Sequence, residues 1–374
     1  MLITPHTIQN RWRALRRQLD ATGIDTLLVS DQFNFCYLTG RLSREFDKRY
    51  RHLLFLLDNR GDAHALVPSN EVAAMQEIIP QLALHVYESE PLDPGVAAAF
   101  IRGGLYGARR LGLELGGFDR PCLTGTTAER TIGLLFGVEA LDASPLLARA
   151  RLIKSPEEIA ALAAAGQLTQ KAWEAVAAGL GTGISLREIA GRLASAFAEA
   201  GGDYNFPGHL DLRNATNPAS PVIEAGEVLW CDLGITVEGY HADIARRLVM
   251  GRPTRSQSEN HRRGVELMAS LSQSLMPGRP IHECMHDMLV LRAKINALPE
   301  RGSRFGHGVG LCAAEAPSLS ASEPAVLQPG MVLTPEPSFI ASDGEFVHVE
   351  EMVAIGCDEA IPLTAGGHRL YEVG

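Results

Sequence analysis

Apolar and polar positions over residues 7–22 alternate with a helical period, and Gly23 ends that run before Ile24 to Ser30, a continuous apolar stretch of strand length. An amphipathic helix leading into a buried strand is an α/β beginning. Two further apolar runs, 53–57 and 63–67, flank Asn59, Arg60, Gly61 and Asp62, a turn sequence that predicts a hairpin. Helical periodicity over 69–79 and 122–135 then alternates with short strands at 111–115 and 138–141. Residues 1–148 therefore read as one α/β domain, a normal size for a single core. The next segment has Ser155 as N-cap, Pro156 at the first helical position and Glu158 at the third, and it opens a long Ala-rich helix. The boundary is placed near 148, leaving 149–374 as a second domain.

The second domain repeats itself. Gly226 to Asp232 and Gly330 to Glu336 share the pattern Gly-x-Val-Leu-x-x-acid, and upstream Gly183 to Ile189 and Gly278 to Cys284 share Gly-x-x-apolar-x-Glu-apolar at helix starts. A duplicated unit accounts for both pairs. The pseudo-twofold it implies would bring Asp232 and Glu336 face to face across a shared sheet.

Composition narrows the class. A chain of 374 residues, 46% hydrophobic and 21% charged, can build two cores. A net charge of −10 lacks the clustered cations a nucleic acid needs, so no nucleic-acid partner is expected. Arg11 to Arg17 read as the wet face of the first helix. Six cysteines without a Cys-x-x-Cys pair indicate neither a disulfide framework nor a thiolate zinc site. No apolar signal core and no membrane-length apolar run occur, so a cytoplasmic protein with no membrane contact is expected.

Five donors stand out in the second domain: Asp232, Asp243, His307, Glu336 and Glu350, each in a short strand-like segment. A carboxylate in an apolar strand is costly to bury unless its charge is compensated, and four of them with one imidazole form the donor set of a two-metal hydrolytic centre. Asp232 and Asp243 sit on two strands around a turn. By strand alternation His241, Asp243, Ala245 and Arg247 would share a face, which makes His241 a wall of the site. The glycines around His307 permit close backbone approach.

These segments resemble the pita-bread peptidases, the family of methionine aminopeptidases, prolidases (Xaa-Pro dipeptidases), aminopeptidase P and creatinase. Asn34 to Gly40 resembles the family's N-terminal motif and Arg151 to Glu158 its interdomain entry. The five-ligand set carries the specificity: Asp232-Leu-Gly, Gly-Tyr-His-Ala-Asp243, Gly306-His307-Gly-Val-Gly-Leu, Gly330-Met-Val-Leu-Thr-Pro-Glu336-Pro and Val349-Glu350-Glu351-Met. The resemblance implies an α/β N-terminal domain plus an α+β pita-bread catalytic domain with an internal pseudo-twofold repeat. It also implies two divalent ions, manganese, cobalt, zinc or iron, with Asp232 and Glu350 bridging, Asp243 on one ion, and His307 and Glu336 on the other. A homodimer is implied as well, with the N-terminal domain bordering the partner's cleft; Asp31 to Tyr50, including Tyr37, would then meet substrate.

The sequence departs from that family in the residues facing substrate. The family's His-Glu after the Gly-His-Gly run is here Ala314-Glu315, leaving Glu315 as a substrate-facing candidate. A second family histidine, expected just after Asn214 to Pro218, is replaced by Ala219-Ser220. Ala245 and Arg247 stand where the family has Thr or Ser. His209 and His241 are the nearest imidazoles that could substitute. The leading expectation is hydrolysis of a small amide, a dipeptide with C-terminal proline, with Glu336 as proton acceptor and donor and His209 or His241 stabilising the oxyanion. The alternatives are a non-peptide C–N hydrolase of ectoine-hydrolase or creatinase type and a non-enzymatic binding module.

Overall fold

Thr4 caps the first helix, Pro5–Thr22, its Oγ1 accepting from the Thr7 amide at 3.2 Å, and Gly23 ends it in the left-handed region at φ 74°. The computed structural model describes residues 2–48, 50–116, 130–131, 133–203, 208–295, 298–299 and 304–373. Apart from the first two residues, the chain divides into two units, Ile3–Arg151 and Leu152–Gly374. The boundary expected near 148 falls inside a helix, Ser144–Leu152, at whose end the division lies.

The first unit is built on a six-stranded sheet ordered Ala83–Tyr87, Ala63–Pro68, Leu54–Leu57, Thr26–Val29, Arg110–Leu113, Glu139–Asp142. The expected hairpin is its antiparallel centre, with Leu54 opposite Leu66 and Leu57 opposite Ala63. The helix expected over 122–135 lies largely outside the described residues. Asn34 to Gly40 belong to a helix, Gln32–Thr39, capped by Asp31. Arg11 corrects the picture of a wet arginine face: it is buried, donates to the Tyr37 carbonyl at 2.7 Å and lies over that ring at 4.1 Å. The Tyr37 hydroxyl donates to the Ala150 carbonyl at 2.8 Å, so this side chain is engaged within its own unit.

In the second unit the Ser155 capping box forms as read, with the Ser155 amide donating to Glu158 Oε2 at 2.8 Å, and opens the helix Pro156–Ala177. Helices Leu186–Ala200 and Ile281–Lys294 follow Gly183 and Gly278, each of which has φ 82°. The repeat extends to the sheets. Strands His209–Asn214, Val228–Gly234 and Ile244–Met250 are neighbours in one antiparallel arrangement, and Arg304–Gly308, Val332–Pro335 and Val353–Ile355 are neighbours in the same order in another.

One expectation is corrected. The two acids do not share a sheet: Asp232 lies on the first and Glu336 follows the last residue of a strand in the second, while Glu350, between the strands Phe346–His348 and Val353–Ile355, makes an isolated bridge to Ala245 of the first sheet. Pro335 and Pro337 flank Glu336 and have no N–H to offer, which ends the ladder there; Ser338–Ile340 then pairs with Phe346–His348 in a third sheet. The second sheet contributes Phe305, Leu333 and Val353 to an apolar cluster with Leu267, Leu271, Met285 and Met288 of the helices Arg255–Ser274 and Ile281–Lys294. Among the described residues no helix is long and apolar enough to cross a membrane.

Candidate metal centre

Each expected donor is delivered by a different backbone device. Asp232 lies opposite Ala245 across an antiparallel pair. Asp243 follows a short strand, Tyr240–His241, and precedes Ile244–Met250, so the strand is interrupted and the alternation assumed for His241 to Arg247 does not hold through it. His307 lies opposite Thr334. Beside it Gly306, at φ 147°, lets the strands close, because a Cβ there would stand 2.2 Å from the Thr334 carbonyl oxygen. Glu336 is anchored by its amide, which donates to the Phe305 carbonyl at 2.8 Å. Glu350 is carried on the bridge with Ala245.

These devices gather all five side chains. His307 Nε2 is 3.7 Å from Asp243 Oδ2 and 3.5 Å from Glu336 Oε1. His209 is drawn in as well, its Nε2 3.1 Å from Asp232 Oδ1 and 3.0 Å from Asp243 Oδ1. His348 completes the set, its Nε2 3.4 Å from Glu336 Oε2 and 3.6 Å from Glu350 Oε2. Three groups have the closeness a cation requires: His209, Asp232 and Asp243; Asp243, His307 and Glu350; Glu336, His348 and Glu350. Asp243 and Glu350 are the carboxylates common to two groups, whereas the resemblance had given bridging to Asp232 and Glu350.

The electrostatics are those of a nest waiting for positive charge. Burial, followed by the charges of Asp243, Asp232 and Glu336, pushes the Glu350 carboxyl far above the usual range, and Thr334 Oγ1 donates to its Oε1. Burial also raises Asp243, against the attraction of His209. At Asp232 burial is outweighed by the hydrogen bond from His209 and the charges of His348 and His209, which hold its carboxyl at about 2. At His209 burial is outweighed by the two aspartates, which lift the imidazole to about 10. Burial raises Glu336 too, but His348, His307 and Arg304 bring it below the ordinary value. Glu350 Oε2 and both ring nitrogens of the buried His348 make no hydrogen bond of ordinary geometry. Oxygen-rich donors, surplus negative charge and orphaned buried atoms fit divalent cations.

The remaining candidates separate. His241 donates its amide to the Gly310 carbonyl at 2.8 Å, and burial, then the charge of His209, drives its imidazole down to about 4, so it is neutral near pH 7. Glu315 accepts from Lys154 Nζ at 2.8 Å, which gives its carboxylate a partner inside the unit. Sequence reasoning missed His348, Thr334 and Arg304, whose Nη2 lies 3.2 Å from Glu336 Oε1. Two of these were findable: His348 stands two residues before Glu350 and Thr334 two before Glu336, the strand period that places side chains together.

Comparison with known proteins supplies the family. Residues 160–356 match the model of metallopeptidase family M24, and residues 11–153 match the creatinase/prolidase N-terminal domain. The chain belongs to metallopeptidase family M24. This M24 chain is 24% identical over 367 residues to an uncharacterized peptidase of Bacillus subtilis, covering 95% of each protein. It is 24% identical over 373 residues to a probable dipeptidase of Mycobacterium tuberculosis, covering 94% of this chain and 92% of the relative. Its fold is that of the Xaa-Pro dipeptidase from Bacillus anthracis, with TM-score 0.82, 21% identity, and coverage of 98% of this chain and 100% of that one. The prolidase from Thermococcus sibiricus is similar too, with TM-score 0.85, 22% identity, and coverage of 97% and 98%.

Proposed function

We propose that this M24 chain hydrolyses dipeptides with proline at the C-terminal position, using two divalent cations held by Asp232, Asp243, His307, Glu336 and Glu350. The observation that carries the reading is the sharing of Asp243 and Glu350 between neighbouring donor groups, an arrangement that suits two adjacent ions better than one. The substrate class rests on the printed identities of the probable dipeptidase relative and of the Xaa-Pro dipeptidase and prolidase neighbours.

Cations at these residues would supply Lewis acidity toward a carbonyl and would acidify a water. The chain's own groups account for the proton and the charge. Glu336, kept ionised by His348, His307 and Arg304, is the acceptor for a water proton and the carrier that returns it to the leaving nitrogen. His241, neutral and with Nδ1 lacking a hydrogen-bond partner, is the donor for the oxygen that becomes negative in the tetrahedral state. His209 is turned to Asp232 and Asp243, which leaves His241 as the imidazole for that role.

The test is a panel of Xaa-Pro dipeptides, Xaa-Pro-Xaa tripeptides and small N-acylated amines, assayed with manganese, cobalt or zinc. Metal-dependent turnover of the dipeptides above the tripeptides is expected. Turnover of the N-acylated amines alone would replace the peptidase reading with hydrolysis of a non-peptide C–N bond.

A further inference from the structure

The five expected donors include a single imidazole, yet each of the three donor groups contains one: His209, His307 and His348 in turn, each with two carboxylates. Two of these histidines lie outside the five-ligand pattern, and an independent observation at each points its ring toward the donor cluster. His209 directs Nε2 at two aspartate oxygens at nearly equal distances, 3.1 and 3.0 Å, while its Nδ1 has no hydrogen-bond partner. The point that Nε2 shares with the aspartates suits a cation as well as a proton. His348 makes the stronger case. It is 1% exposed and stacked on the Trp230 indole at 5.4 Å and 27°. Its Nε2 faces Glu350 Oε2 across 3.6 Å, too far for a good hydrogen bond, and both atoms lack a hydrogen-bond partner. Two complementary buried atoms at that separation, neither with another hydrogen bond, are placed to share a cation.

We infer that His209 and His348 are metal ligands in this chain, giving a centre of seven protein donors with three imidazoles. The inference rests on the two-cation reading above and specifies how this chain fills its sites: His209 joins Asp232 and Asp243 at one position, and His348 joins Glu336 and Glu350 at the other, with His307 between them. The expected consequence is selectivity. Carboxylate oxygen suits manganese, whereas imidazole favours zinc, cobalt and iron, so added nitrogen shifts the preference away from manganese. Trp230, two residues before Asp232 on its strand, holds the His348 ring in place by stacking.

X-ray absorption on the zinc- or cobalt-loaded wild-type protein counts imidazoles without any substitution, and three per two metal ions is the expected result. Equilibrium dialysis with elemental analysis then compares wild type with His209→Ala and His348→Asn. Each variant is expected to bind zinc at least about tenfold more weakly, with a smaller loss for manganese, so that the ratio of the two affinities narrows. One imidazole per two ions, together with unchanged affinities in both variants, would overturn the inference and leave the five-ligand centre standing. A wild-type protein that retains no divalent ion at all would overturn this inference and the two-cation reading together.

Discussion

Arg246 and Glu351 form a buried ion pair, Nη2 to Oε2 at 3.1 Å, while Nη1 of the same guanidinium donates to the Glu350 carbonyl at 3.0 Å. The arginine thus grips the backbone that presents the candidate ligand Glu350 and neutralises the carboxylate next to it. Thr364 Oγ1 and the Gly367 amide also donate to Glu351, so its charge is fully engaged. Replacing Arg246 by Met strands that charge in the interior, and a loss of about 3–5 kcal/mol is expected from urea unfolding of the metal-free protein. The double variant with Glu351→Gln should recover part of it. A single variant as stable as wild type would remove Arg246 from this role.

Glu350 presents the opposite case. Surrounded by Asp243, Asp232 and Glu336, its carboxyl is a burden to the protein without cations and a necessity with them. Glu350→Gln keeps the shape and removes the ionisable group, and with it the cost of holding that carboxyl away from its unfolded-state ionisation. The metal-free variant is expected to be more stable than metal-free wild type by about 1 kcal/mol, as often happens when a functional site is relieved, while peptidase activity falls to background. Calorimetry of both chelated proteins checks the sign, and a variant less stable than wild type without metal contradicts the account of the nest.

His261 makes stability depend on pH. Burial, then the charge of Arg247, holds its imidazole down at about 4, and its Nε2 lies 3.2 Å from the His368 carbonyl. An unfolded histidine titrates near 6.5. Between those values the unfolded chain binds a proton that the folded one refuses, so the contribution is present above about pH 6.5 and is lost as pH falls toward 4. The full effect amounts to about 3 kcal/mol. Urea midpoints of chelated wild type and His261→Gln should converge toward pH 4; parallel curves across that range would show that the ring does not titrate this way.

The donor cluster was legible in the sequence because three of its members sit beside residues with a backbone purpose: His307 beside the glycine at 306, Glu336 between the prolines at 335 and 337, and Asp232 and Glu336 behind turn glycines. The duplication was legible for the same reason, since Gly183 and Gly278 adopt the same left-handed turn. The imidazole count was not. His348 could have been found by applying alternation backwards from Glu350, but His209 meets Asp243 only through the pairing of His209–Asn214 with Val228–Gly234 and of that strand with Ile244–Met250, which no local pattern encodes. Arg11 was misread because the charges from 11 to 17 were treated as one block. On a helix it shares a face with Ile8 and Leu15, both buried, and that phase outweighs its charge.

The rung between Ala245 and Glu350 ties a candidate ligand, three residues ahead of the strand Val353–Ile355 in the second sheet, to a strand of the first. Any slip of one sheet past the other drags Glu350 away from its neighbours, and any ion gripping donors from both sheets resists that slip. A cation held there would work as a rivet. Amides of Val228–Gly234 and Val332–Pro335 should exchange with solvent in step while metal is bound, and independently of one another once it leaves.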